Sequence, residues 1–368
     1  MCLDVMAVRD EAVAAGAEDY FPEEFAMVDE LAWEAVDYYN EAGSQKELEA
    51  DAANFKNIYT AFITAVDAQD AYDVVIEEGY DFYDYKNFEA GNSAEEKVYE
   101  IAYTTFDGQD ILENVQFADD SYNKVIDNGQ MIDEVIAVRD DAVEAGAEEF
   151  FPEELAVADG YAYDALDYYN TVGTQEELEA DAENFTNVYK AFEEAAYAAQ
   201  VYIRIIENDF QSYDRNGFEA AERAVDELEV LAYSLADGEV LLAKAEEVHA
   251  AYDKVVKNAF KKKSDAVRNE YLAVKKDADG IKANVADKQG YAEAESHMKN
   301  AEAIFARMSY EAAFAEYTTA KDAMSSVYES VLAKRNAALE ALERGRARAE
   351  ELSILAAQAD IIAPLSNN

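Results

Sequence analysis

The apolar positions along the chain fall into one helical stripe after another. Leu48, Ala52, Phe55, Tyr59, Phe62 and Val66 recur at three- and four-residue steps, the spacing of one face of an α-helix. Ser44-Gln45-Lys46-Glu47 ahead of this stripe is a capping box, so a helix is predicted from there to about Glu78, with Gly79 following. Before it, a helix is predicted over Leu3 to Ala15 and stopped by Gly16. A second starts at Pro22, where Glu23 and Glu24 suit a first turn, and runs to Asn40. Beyond Gly79, Ser93-Ala94-Glu95-Glu96 reads as another capping box and places a helix start near Ser93. Asp107-Gly108 reads as a turn. Ile111, Val115, Tyr122 and Val125 then define a fifth helix, with a kink expected at Gly129.

This pattern is written twice. Residues 136–192 repeat residues 6–62 without a gap, with 36 of 57 positions identical. Gly16-Ala17, Pro22-Glu23-Glu24 and the Ser44 box return as Gly146-Ala147, Pro152-Glu153-Glu154 and Thr174-Gln175-Glu176-Glu177. A self-copying chain is organised by its period. Ala266-Val267-Arg268-Asn269 echoes Ala137-Val138-Arg139-Asp140 and marks a third, diverged copy. The domains expected are repeat units at 1–130 and 131–259 and a shorter unit at 260–368. In the third, Gly280, Tyr291–Met308 and Ser309 to about Ala357 mark helix ends and spans, with a loose tail through Pro364. The fold class expected is all-α, with tandem helical bundles stacked into an elongated rod or shallow superhelix.

Composition agrees, because only 3 Pro and 14 Gly interrupt 368 residues. The net charge is −51, and it is uneven: −26 over residues 1–130, −24 over 131–259 and −1 over 260–368. Such acidity repels phosphate backbones, so nucleic acid is not an expected partner. It favours a basic protein partner, self-association through the near-neutral third unit, or weak binding of divalent cations. No run of apolar residues is long enough to span a membrane. The single cysteine, Cys2, excludes an intrachain disulfide. Met-Cys at the start also fits a lipoprotein whose mature chain begins at the lipid-bearing cysteine. The competing reading is a cytoplasmic protein.

The pattern carried by Ala12, Gly16-Ala17, Pro22-Glu23-Glu24-Phe25-Ala26 and by Ala142, Gly146-Ala147, Pro152-Glu153-Glu154-Leu155-Ala156 resembles a helical repeat domain of bacterial envelope proteins, including spirochaete-type lipoproteins. In the third unit Ala301, Phe305, Tyr310, Ala312-Ala313, Tyr317 and Ala320 look like a tetratricopeptide helix pair. The resemblance implies an envelope location (periplasm or outer surface), lipid attachment at Cys2, an interaction role and no catalytic residues.

Chemistry is sparsely supplied. His249 and His297 lie in different units and have no repeat counterparts, and no cysteine or histidine set suits zinc. Ser212, Asp214, Asn216 and Gly217 start a calcium-loop register, but its twelfth position is Arg223. No catalytic residue, cofactor or metal site is therefore assigned. The aromatic groups around Tyr80, Tyr83 and Tyr85 and around Phe210 and Tyr213 are the candidate ligand cleft, against the simpler expectation that such rings pack the core. The function expected is a non-catalytic scaffold or protein-interaction module. A ligand- or cation-binding accessory protein is the alternative, and an enzyme is the least favoured reading.

Overall fold

The structure is a computed structural model that describes residues 2–233 and 237–362. Among the described residues there are fourteen α-helices and no strand. They are α1 (Cys2–Ala15), α2 (Ala17–Tyr20), α3 (Pro22–Glu41), α4 (Gln45–Glu78), α5 (Tyr85–Thr104), α6 (Gly108–Glu144), α7 (Ala147–Phe150), α8 (Pro152–Thr171), α9 (Gln175–Glu207), α10 (Arg215–Tyr233), α11 (Gly238–Gly280), α12 (Ala283–Ala286), α13 (Lys288–Ala306) and α14 (Tyr310–Ile362). The all-α repeat architecture is as the sequence predicts. The chain divides into two compact units, one of Met1–Tyr197 with Val230–Glu246, the other of Ala198–Glu229 with Glu247–Asn368. The Pro364 tail lies outside the described residues.

Most helix ends sit where the sequence puts them. Ser44 accepts from the Glu47 amide at 3.3 Å while the Glu47 carboxylate accepts from the Ser44 amide at 2.7 Å. Thr174 and Glu177 make the same box at 3.3 and 2.8 Å. Gly79 ends α4 in the left-handed conformation, at φ 76°. Its counterpart Asp209 adopts φ 54°, a conformation that aspartate tolerates better than most residues.

Two expectations are corrected. The helix expected near Ser93 starts at Tyr85, with Asp84 as its cap, so the Ser93 box lies inside α5 and caps nothing. α6 runs unbroken through Gly129, which gives Tyr80 room: a Cβ there would sit 2.3 Å from the Tyr80 ring. In the second repeat the pair is exchanged for Phe210 and Ala259, both buried. The other correction concerns register. Arg139 finds its structural counterpart in Lys275, not in Arg268.

The left-handed residue ahead of each four-residue helix establishes this, since Gly16, Gly146 and Lys282 follow Arg9, Arg139 and Lys275 by seven residues each. Each of these cations also joins the first helix of its repeat to the next full-length one. Arg9 donates to Asp29 through Nε at 2.8 Å and Nη2 at 2.5 Å, and Tyr59 on α4 donates to the same carboxylate at 2.7 Å. Burial would raise the Asp29 carboxyl, but the bonds from Arg9 and Tyr59 outweigh it and hold the group below its ordinary range. Arg139, Asp159 and Tyr189 repeat this latch at 2.8, 2.7 and 2.9 Å. In the third repeat Lys275 reaches Glu295 at 3.0 Å, and the Tyr59 position is taken by buried Met324. Lys275 also lies over the Tyr291 ring as Arg9 lies over Phe25. The sequence echo falls seven residues early, about two helical turns, which preserves the face and hides the error.

In the first unit the small residues Ala12, Ala17 and Ala61 let helices approach Phe25, Val28, Phe55, Ile58 and Tyr59, all buried. A second cluster places Tyr80 and Tyr122 against Ala68, Ala71, Val75, Ala94 and Val125, and a third gathers Leu155 and Tyr189 with Ala142, Ala147 and Ala196. In the other unit Phe210, Val248, Tyr252 and Phe260 form one cluster, and Tyr271, Tyr291, Met324 and Val327 another.

Where the first repeat meets the second, inside the first unit, Asp84 is wholly buried. It accepts from the Asn87 amide at 3.0 Å, Asn87 Nδ2 at 2.7 Å, Asn128 Nδ2 at 2.6 Å and the Tyr169 hydroxyl at 3.1 Å. Lys86 Nζ donates to the Gly173 carbonyl at 2.6 Å, and Asn170 Nδ2 donates to the Tyr83 carbonyl at 2.9 Å. Asp214 keeps part of this set, accepting from the Gly217 amide at 3.1 Å and Asn258 Nδ2 at 2.5 Å.

Two outcomes follow. Asp84→Asn keeps the shape but turns an NH2 group toward donors, so chemical denaturation should show a loss of about 2–4 kcal/mol; unchanged stability would remove the network's structural role. Gly129→Ala should cost about 1–3 kcal/mol by overpacking on Tyr80, and trimming that ring with Tyr80→Leu should recover part of the loss.

A candidate binding groove

In the first unit α3 and α5 lie over α4 and α6 without closing on each other. The gap is an apolar groove of about 130 Å³. Its floor is Ile58, Ala61 and Ala65 from α4 with Ile111 and Val115 from α6, and Met27 and Val98 form its walls. Tyr99 and Tyr103 stand on the rim, 51% and 71% exposed. The groove has its depth from the alanines of α4 and α5 that face it, Ala61, Ala65, Ala68 and Ala102, which line a wall without filling the space.

Glu24, Glu95 and Gln69 are the polar residues of the lining. Glu95 is half-buried, and burial raises its carboxyl above the ordinary 4.5, with the neighbouring Tyr122 hydroxyl pulling the other way. Tyr122 is fully buried and donates to Asn92 Oδ1 at 2.9 Å. Burial, then the nearby Glu95 charge, pushes its phenol well above the usual range. The second repeat arranges this acid differently. Position 225, the counterpart of Glu95, is Val, and Tyr252 donates instead to Glu222 at the counterpart of Asn92. Of the two groove glutamates, Glu24 recurs as Glu154, whereas Glu95 is a property of the first repeat, and in the sequence it is one of 81 acids.

The predicted cleft residues are placed otherwise. Tyr80 and Phe210 are core side chains, the first on Gly129, the second edge-on to Phe260 with ring centroids 5.1 Å apart. Tyr83 and Tyr213 are half-buried, Tyr85 is exposed, and Phe82 is 80% exposed. The Tyr80 group belongs to the first unit and the Phe210 group to the second. Cys2 is exposed at the start of α1, beside a hollow that also touches Arg9, Asp29 and Trp33.

Of the two histidines, His297 pairs through Nδ1 with Glu316 Oε1 at 2.8 Å in an open hollow. His249 lies on α11. The Asp214 carboxylate is engaged by Gly217 and Asn258, as described above. Among the described residues no group of three His, Cys, Asp or Glu side chains could hold a metal ion, and no helix is long and apolar enough to cross a membrane.

The Glu95 environment gives a pH signature. Its folded-state pKa is raised, so the folded protein holds the proton more tightly than the unfolded chain, and the protein loses stability as pH rises from 4.5 through the folded value. Glu95→Gln removes that loss. The variant should be more stable than the parent at pH 7, with the gap closing as pH falls toward 4.5. A gap independent of pH in urea titrations would refute this account.

Neither a protein-family model, nor a curated protein, nor a solved structure matches this chain.

Proposed function

We propose that the protein is a non-catalytic interaction module that takes the apolar face of a basic amphipathic helix from a partner protein into the groove of its first unit. The observation that carries this reading is an apolar trough with exposed tyrosines on its rim and glutamates in its lining, set in a sequence stretch of net charge −26. Exposed aromatics beside an apolar slot are the usual anchors of protein interfaces. The surrounding acids would steer a cationic segment and disfavour an anionic one. A helix laid into a groove presents side chains at three- and four-residue steps, and about 130 Å³ suits one or two aliphatic side chains rather than a large cofactor.

The resemblance carried by the Gly-Ala and Pro-Glu-Glu elements supports a bacterial cell-envelope setting, with Cys2 as a point of lipid attachment. A second reading, a binder of small apolar amines, is favoured by Glu95, a half-buried acid in the groove lining.

Calorimetry with designed helices of matched length separates these readings. A Leu/Lys helix should bind saturably, and a Leu/Glu helix should not. The double variant Tyr99→Ala, Tyr103→Ala removes exposed side chains and should weaken binding tenfold or more while leaving the circular dichroism unchanged. Equal binding by parent and double variant would reduce the interaction to unspecific charge attraction and overturn the groove assignment. Saturable binding of an apolar amine with none of the Leu/Lys helix would favour the second reading.

A further inference from the structure

The last 27 described side chains of α14, residues 333–359, are exposed without exception. At about 1.5 Å per residue this is roughly 40 Å of helix along which none of the described residues packs closely. Isolated helices are held mainly by tertiary packing of an apolar face, and this one has such a face. Ala338, Leu342, Gly345, Ala349, Leu352, Ala356 and Ala359 follow alternating steps of three and four residues, the seam of a coiled coil. Leu342 and Leu352 on the seam are 60% and 66% exposed, and Leu339 and Leu355 flank it at 49% and 59%.

The seam is symmetric about Ala347. Leu342 and Leu352 lie five residues to either side, Gly345 and Ala349 two, Ala338 and Ala356 nine, and the flanking Leu339 and Leu355 eight. In a two-fold interface residue i meets residue j while j meets i. An antiparallel pair of these helices crossing at Ala347 would therefore set Leu342 against Leu352 of the second copy, twice, with small residues at the centre to let the backbones approach. Charge fits the same register. Arg346 and Glu350 lie on the same flank of the seam, and in the pair Arg346 of one copy and Glu350 of the other stand about 3 Å apart in height. Arg346 and Arg348 would each also stand about 3 Å in height from their own symmetry mates, a cost offset for Arg346 by Glu350 of the other copy and for Arg348 by Glu351 three residues along its own helix.

We infer that residues 333–359 form a homodimerisation helix, pairing antiparallel with the same segment of a second copy about Ala347. The surface is distinct from the groove, and neither assignment depends on the other.

Orientation-specific cross-linking of the full chain tests it. In a Cys2→Ser background, Leu342→Cys and Leu352→Cys proteins are oxidised separately and mixed. The antiparallel register predicts disulfide dimers mainly in the mixture, because the two sites meet each other and not themselves. Dimers formed equally well by each protein alone indicate a parallel pair and overturn the inference. Light scattering should give a dimer across micromolar concentrations, and Leu342→Glu, Leu352→Glu should give a monomer of unchanged helicity. A monomeric parent, or a dimer that survives the double glutamate variant, also overturns it.

Discussion

A carboxylate with no exposed surface stands where the first repeat passes the chain to the second. Asp84 ends a loop, starts α5 and accepts the Tyr169 hydroxyl at 3.1 Å from the neighbouring repeat. A buried charge of this kind is tolerated only with its hydrogen bonds complete, so the donors are constrained too. Asn87 must follow by three residues, Asn128 must face inward from α6, and α8 must end where Tyr169 reaches back. Lys86 then satisfies the open carbonyl at Gly173. Apolar packing brings the helices together, and this network fixes which turn of one meets which turn of the next.

The same demand explains where sequence reading fails. Ser93-Ala94-Glu95-Glu96 has the residues of a helix start, and local chemistry alone would begin α5 there. Asp84 has the stronger claim because its partners lie 44 and 85 residues away, and no local pattern shows them. The other boundaries were legible because their causes are local: Gly16, Pro22, the Ser44 and Thr174 boxes, and Gly79. The false register of the third repeat has an intermediate cause. Arg268 and Lys275 both follow an Ala-Val pair on one helix and both reach an acid on α13, Glu302 at 2.5 Å and Glu295 at 3.0 Å, and only the seven-residue distance to left-handed Lys282 distinguishes them.

The groove was illegible for a different reason. It is made by what its residues lack: alanines on α4 and α5 leave a space, and an alanine in a helical stripe reads as ordinary core. Glu95 is informative only once burial separates it from the other acids, or once the two copies are compared and its counterpart proves to be Val225. Of the aromatic cluster, conspicuous in the sequence, Tyr80 and Phe210 became core because a ring that finds a glycine or alanine opposite it is packed rather than presented. The C-terminal seam shows the converse, since its spacing is present in the sequence and only the exposure of residues 333–359 reveals that none of the described residues covers it.

The second unit differs from the first at one joint, and the difference is angular. Eleven residues separate Asn128 from Arg139 on α6, whereas seventeen separate Asn258 from Lys275 on α11. Six extra residues advance a helix by about 9 Å and one and two-thirds turns. The third repeat therefore departs from α11 along a bearing about a third of a revolution away from the one a strict copy would take. Tyr310 and Phe314 pack beside Phe260 there, and the polar clasp around Asp84 has no full equivalent. Inserting residues into a helix shared by two repeats acts as a rotary adjustment: a change in length sets heading, and an insert close to a whole number of turns, such as seven or eleven residues, would leave it nearly unaltered.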